Sequence, residues 1–260
     1  MKSLQEYAKE ISFQSGKIIL KGFRSDNTIV SYKSRTDLIT NIDKASEEYL
    51  CGMINKKYPT HTIIAEEGNR KITAGEFIWY IDPLDGTKNY AHGLPFFCIS
   101  IGIYSRDEKR VVIGVVYDPL HDEMFTALRG GGSYLNTTPI KVSAVQDIGL
   151  SMLVTGFPYN QDDIQHNNLN EFNKFLPRIQ GIRRLGSAAL DLSYVACGRF
   201  DGYWEPMLYP WDTAGGSIIV EEAGGSVSKY DGSSFDPLYP EIAASNKKIH
   251  AELLKILNTK

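Results

Sequence analysis

The sequence predicts an α/β (α+β) protein in which helices and sheets are stacked as layers. Three observations carry that expectation: an amphipathic helical stripe at the start of the chain, a central block of closely spaced β-forming runs, and a second half in which strands and helices alternate. The 260 residues are 42% hydrophobic and 23% charged, a globular balance in a chain long enough to bury a core without disulfide or metal staples. The expected organisation is one domain, 1–260, made of two packed subregions, 1–145 and 146–260, with a site where they meet. A metal in such a chain would serve chemistry rather than hold the fold.

Leu4, Tyr7, Ala8, Ile11, Gly16, Ile18 and Ile19 space a helix over the first twenty residues. A second helix is predicted from Asp43 to Lys57, stopped before Pro59. Thr62–Ala65 and Phe77–Ile81 are rich in β-formers and read as strands. Phe97–Tyr104, Val111–Tyr117 and Glu123–Leu128 read as a meander, with Arg106–Lys109 as a polar turn. Gly130-Gly131-Gly132 is expected to be a turn rather than a phosphate loop. The pattern changes near residue 146, where Leu150–Thr155 is strand-like. A helix over 161–176, a helix Ser187–Cys197, a strand Gly202–Glu205, a helix Asp212–Ala223 and a final helix from Asn246 are expected to follow. There is no internal repeat and no low-complexity tract, and Phe157–Glu171 matches no recognisable pattern.

Composition removes several function classes. A net charge of −3 lacks the basic face that nucleic-acid binding needs, so no nucleic-acid partner is expected. No apolar run approaches the ~20 residues that cross a bilayer, and the first residues lack the apolar stretch of a signal peptide. Cys51, Cys98 and Cys197 are odd in number and far apart, which fits a reducing compartment; a cytoplasmic protein is expected. No C-x₅-R motif and no G-x-x-x-x-G-K-[ST] loop occurs, which excludes cysteine phosphatases and P-loop proteins. His61, His92, His121, His166 and His250 show no metal-ligand spacing.

The informative stretch is Trp79-Tyr80-Ile81-Asp82-Pro83-Leu84-Asp85-Gly86-Thr87, an apolar strand that runs into two aspartates flanking a proline. Pro83 fixes its own φ and Gly86 permits a conformation other residues resist, so the turn can aim Asp82, Asp85 and the Leu84 carbonyl at one point. Oxygen ligands without histidine or thiolate select hard cations such as magnesium. Asp, Pro and Gly are also ordinary turn residues, and each acid taken singly reads more readily as a cap or a solvated charge than as a ligand. Two further features weigh against that plainer reading: Ile63-Ile64-Ala65-Glu66-Glu67-Gly68 is another strand running into acids, and Tyr209-Pro210-Trp211-Asp212 puts an aspartate at a helix start.

Together these segments resemble the signature of the inositol monophosphatase family, magnesium-dependent and lithium-sensitive phosphatases. Trp79, Ile81–Thr87 and Asn89 match its first motif; Trp211–Gly216 with Ile219–Gly225 matches its second; Glu66-Glu67-Gly68 supplies the remaining acid. The resemblance implies a layered α/β/α/β/α sandwich of the inositol monophosphatase and fructose-1,6-bisphosphatase type. It implies that Glu66, Asp82 and the Leu84 carbonyl bind one metal ion, that Asp82, Asp85 and Asp212 bind a second, and that Glu66 helps hold a third. Asp37 to Asp43 resembles the family's upstream acidic segment, which makes Asp43, Thr87 and Glu67 the candidate catalytic residues that orient and deprotonate the attacking water. Gly86 and Thr87 would bind phosphate through backbone N–H groups. Asp85, Ala188 and Glu205 would meet the hydroxyls of the alcohol. Glu205 reads equally as a surface acid after a strand, and Arg183-Arg184 as a solvated basic pair or a contact for a second phosphate.

Phosphate monoesters need accelerations up to ~10²¹-fold, and two metal ions ~4 Å apart can serve both sides of the transferred phosphorus. Four ionised carboxylates carry −4; two Mg²⁺ neutralise them and a third offsets a dianionic substrate. The reaction expected is Mg²⁺-dependent hydrolysis of inositol monophosphate, with fructose 1,6-bisphosphate, the 2′-phosphate of NADP and adenosine 3′,5′-bisphosphate as alternative substrates. Lithium inhibition and a homodimer are further implications of the resemblance. An aspartyl-phosphate mechanism is disfavoured, because Asp82 and Asp85 stand three residues apart rather than two. A non-catalytic metabolite-binding scaffold is a rival of another class, and it would be expected to lose one of the carboxylates.

Overall fold

A computed structural model describes residues 1–159 and 166–259. Helix α1 (Lys2–Gly22) buries Leu4, Tyr7, Ala8, Ile11 and Ile19 along one stripe. A hairpin of β1 (Val30–Tyr32) and β2 (Leu38–Thr40) leads into α2 (Asn41–Lys57). That helix starts two residues before the predicted Asp43, because Thr40 and Asp43 form a capping box: the Thr40 hydroxyl accepts from the amides of Ile42 and Asp43, and Asp43 accepts from the Thr40 amide. Next come β3 (Thr62–Ala65), β4 (Arg70–Lys71), β5 (Phe77–Asp85) and the short α3 (Thr87–Ala91). The meander follows as predicted: β6 (Cys98–Ser105), β7 (Arg110–Asp118) and β8 (Glu123–Leu128), extended by β9 (Gly132–Leu135) and β10 (Thr138–Pro139). The glycine triplet sits in the turn that joins β8 to β9.

The second half contributes β11 (Met152–Thr155), α4 (Leu169–Phe175), β12 (Gly181–Arg183), α5 (Ala188–Ala196), β13 (Gly202–Pro206), α6 (Pro210–Glu222), β14 (Ser226–Ser228), β15 (Glu241–Ser245) and α7 (His250–Leu257). Helices α5 and α6 fall within two residues of the sequence expectation, and two helix starts differ by more. Of the helix expected over 161–176, residues 160–165 lie outside the described ones, and helix begins at Leu169. Asn168, at φ 69°, spends its side chain on Thr155, Gly156 and Trp204, which is incompatible with a helical turn there. The final helix starts at His250, since the Asn246 side chain accepts from the amides of Lys248 and Ile249 and holds a turn instead.

The strands form three sheets: β1-β2, an eight-stranded sheet in the order β10-β9-β8-β7-β6-β5-β3-β4, and a five-stranded sheet in the order β12-β11-β13-β15-β14. Helices α1 and α2 pack on one face of the large sheet through a core that includes Ile11, Leu50, Ile81, Ile101 and Val115. Helices α5 and α6 lie between the two sheets and bury Leu190, Leu192, Ile218 and Val220. Beyond the small sheet, α4 and α7 cover Trp204 and Leu153. Five layers result, α/β/α/β/α. Gly102 and Gly114 let α6 press onto β6 and β7, since a Cβ at Gly114 would fall 2.3 Å from the Gly215 carbonyl oxygen. Among the described residues no helix is long and apolar enough to cross a membrane.

A carboxylate-lined candidate active site

Sheet register delivers the first two acids. Strands β3 and β5 are parallel with Ala65 opposite Ile81, and the Glu66 amide donates to the Ile81 carbonyl at 3.2 Å, so Glu66 leaves the sheet beside Asp82. Strand β5 does not stop at Ile81 as the sequence suggested. It pairs with β6 through Asp82 and again at Asp85, and Pro83-Leu84 form a bulge between them. Pro83 has no N–H to lose from the ladder, and its carbonyl accepts from Ser46 at 2.8 Å, with Ser15 hydrogen-bonded to Ser46 at 2.7 Å. The Leu84 amide closes the turn onto Asp82 at 2.9 Å. Gly86 follows at φ 92°, a conformation costly for side chains with a Cβ, and α3 starts at Thr87.

The other two acids meet helix starts. Asp212 is in the first turn of α6, where its carboxylate accepts from the Tyr209 amide at 2.7 Å. Asp85 reaches the first turn of α5: its Oδ2 accepts from Ser187 Oγ at 2.7 Å and from the Ala189 amide at 2.8 Å. The N-terminus of α5 therefore ties the two sheets together at the site. Asn89 adds a second tie, donating to the carbonyls of Phe96 and Leu185, both at 2.8 Å.

A cavity of about 360 Å³ opens where these segments meet, and Glu66, Asp82, Leu84, Asp85 and Asp212 all line it. Gly86, Thr87, Ala188 and Glu205 line it too. Asp43 and Glu67 stand behind the wall. Asp43 is fully buried and accepts from Thr87 Oγ1 at 2.8 Å, so its reach into the cavity runs through that hydroxyl. Thr87 Oγ1 is also 2.9 Å from the Leu84 carbonyl. Glu67 is held by Lys33 at 2.7 Å, and its amide donates to Glu47.

The electrostatics are those of an acid cluster short of positive charge. Burial pushes Asp82 well above the usual carboxylate range, and Glu66, Asp85 and Asp212 push it further. Asp212 rises for the same reasons. Burial raises Glu66 to about 8 against the pull of Lys33, and Asp85 to about 6 against its hydrogen bonds from Ser187 and α5. Lys33, 3.5 Å from Glu66, is the one cation in ion-pair contact with the four acids among the described residues. An all-oxygen donor set with excess negative charge fits hard divalent cations. Among the described residues no three histidine, cysteine or acidic side chains stand in a closed ligating set, so the donor chemistry and not a finished cage carries the fit.

Sequence reading misses Glu47, Lys88 and Asp191 here, whereas it names Arg184, with Arg183, as a solvated basic pair or a contact for a second phosphate. Glu47 is buried, and its carboxylate accepts from the amides of Glu67 and Asn69, fixing the turn that carries Glu66. A single acid within α2 gives no signal of that role. Arg184 and Lys88 both line the cavity, and neither is in an ion pair among the described residues. Asp191 is buried with both oxygens unpartnered, and burial pushes it well above the usual range.

Comparisons with known proteins bear on the family and the fold. The model of the inositol monophosphatase family matches residues 1–260. The chain is 47% identical over 222 residues to inositol-1-monophosphatase of Synechocystis sp., covering 85% of this chain and 77% of that protein. It is 43% identical over 243 residues to Nus factor SuhB of Pasteurella multocida, covering 93% and 90%. The solved inositol monophosphatase of Anabaena (Nostoc) sp. superposes with a TM-score of 0.88 at 40% identity, covering 98% of this chain and 95% of that one.

Proposed function

The chain belongs to the inositol monophosphatase family of phosphatases, and from that premise we propose that it hydrolyses the phosphate monoester of a small polyol, with inositol monophosphate as the first candidate. The observation that carries this reading is the convergence of Glu66, Asp82, Asp85 and Asp212, from β3, β5 and α6, on one cavity. The family is generally metal-dependent. In this reading Glu66, Asp82, the Leu84 carbonyl, Asp85 and Asp212 would hold two Mg²⁺ ions, and Glu66 would help hold a third. When bound, the cations supply the positive charge that draws the phosphate in and offsets charge developing on it.

The protein's own groups do the rest. A water in the cavity donates to Thr87 Oγ1 while Thr87 passes its proton towards Asp43 Oδ1; the 2.8 Å contact between them supports that relay. Burial raises Asp43 above its ordinary value against the pull of its hydrogen bonds from Thr40 and Thr87, a direction that suits a proton acceptor. Gly86 and Thr87 open α3, where the first amides lack intrahelical partners and suit phosphate oxygens. Ala188 and Glu205 face the alcohol, and Lys33 holds Glu67 rather than leaving it free as a second base. Residues 1–145 and 146–260 act as one catalytic unit. Lithium competes for a cation position, and the active form is a homodimer.

The test is phosphate release from inositol 1-phosphate, fructose 1,6-bisphosphate, NADP and adenosine 3′,5′-bisphosphate, with and without Mg²⁺. We expect inositol 1-phosphate to turn over fastest and a chelator to stop the reaction; turnover indifferent to divalent cations would overturn the reading. Relatives named Nus factor SuhB support a second reading, a link to transcription or nucleic acid alongside hydrolysis. It predicts that the chain binds RNA or DNA at physiological salt, which a filter-binding assay decides.

A further inference from the structure

Strand period places Tyr203 and Glu205 on one face of β13, towards α5 and the cavity, and Trp204 on the other, against α4. Tyr203 is wholly buried, and its hydroxyl donates to Glu205 Oε2 at 2.7 Å. Glu205 Oε1 has no hydrogen-bond partner among the described residues, and the carboxylate lines the cavity. On its other side stands Gly156, at the end of the parallel neighbour β11, where Thr155 is opposite Trp204. A Cβ at Gly156 would lie 2.1 Å from both Glu205 oxygens. The backbone of Gly156 is outside the left-handed region, so it is space rather than conformational freedom that requires glycine. Its carbonyl is anchored by Asn168 Nδ2 at 2.6 Å.

We propose that Tyr203 and Gly156 hold the Glu205 carboxylate from two sides, leaving Oε1 as a single fixed acceptor for a hydroxyl of the alcohol, so that the cavity selects phosphate esters of hydroxylated alcohols. Tyr203 is a positioning residue and Gly156 sets specificity through space; both roles rest on the polyol-phosphatase reading. A fixed acceptor discriminates because an ester without the hydroxyl leaves a desolvated oxygen unpaired. Phe at position 203 would keep the buried ring but could not orient the acid.

The experiment measures steady-state kinetics of the full chain with Mg²⁺ on inositol 1-phosphate and on phenyl phosphate, whose ring has no hydroxyl. Tyr203→Phe is expected to lower the ratio of kcat/KM for the two esters about tenfold, mostly through KM for inositol 1-phosphate. Gly156→Ala is expected to move the ratio in the same direction without touching the tyrosine. In a Glu205→Gln background neither substitution should shift the ratio further. Equal losses on both esters, or a further shift in the Glu205→Gln background, would mean a merely structural role and overturn the proposal. A wild-type protein that turns over neither ester sinks the polyol-phosphatase reading itself. Turnover of both with a ratio unmoved by either variant sinks this inference alone.

Discussion

Asp82 is buried beside Glu66, Asp85 and Asp212, and among the described residues Lys33 bridges to Glu66 and Glu67 and to none of the other three. Such a cluster costs stability until cations arrive, a familiar exchange between stability and function. Replacing Asp82 with Asn removes one like charge with almost no change of shape. In chelator the variant should melt higher than wild type by roughly 2–4 °C, the shift expected for about 1 kcal/mol in a chain of this size. Its phosphatase activity should fall to background. Thermal melts with and without Mg²⁺ check the first half and phosphate release the second: a variant that melts lower in chelator would show that Asp82 holds the fold and not a cation. The aspartates of this turn were readable because two further segments, at Glu66 and at Asp212, also run a strand or helix end into acids, which a plain turn at Asp-Pro-x-Asp-Gly does not explain. The roles of Glu47 and Tyr203 were not, because each depends on partners that sequence separation hides.

At the scale of elements, α7 is pinned by one histidine. His250 bonds Ser228 Oγ from β14 and Ser245 Oγ from β15, each at 2.9 Å, and burial lowers it below its ordinary value of 6.5. The folded protein therefore takes up a proton at His250 less readily than the unfolded chain, which gains one as the pH falls through 6.5. Its contribution to stability is present above that value and lost with acid. Wild type should accordingly lose melting temperature between pH 7.5 and 5.5 more steeply than His250→Gln. The Mg²⁺-saturated forms are the right ones to compare, since the raised carboxylates of the site slope the other way. Parallel curves would show that another group governs the acid limb. Helix positions were legible from apolar spacing to within a turn, except where Asn168 and Asn246 put side-chain hydrogen bonds in place of helical ones.

For the molecule as a whole, α5 and α6 share one core with both sheets, and the acid cluster spans the same junction. Neither sheet has a separate reason to stay folded. Calorimetry should show a single unfolding transition, and Mg²⁺ should move all of it upward: ~2.7 kcal/mol at a hundredfold excess over the dissociation constant. Two resolved transitions, with only the first responding to Mg²⁺, would separate residues 1–145 from 146–260 instead.

The sequence by itself determined which residues carry charge at strand and helix ends, and so the chemistry available: hard-oxygen donors, no thiolate, no histidine set. It also determined the alternation of helix and strand, because apolar periodicity is local. What only the tertiary structure decided was convergence. Parallel pairing of β3 with β5 brings Glu66 beside Asp82, the N-termini of α5 and α6 close the cavity, and β11 sets Gly156 against Glu205. Contacts between residues a hundred positions apart depend on how layers stack, and stacking is a property of whole faces that no short stretch of sequence contains.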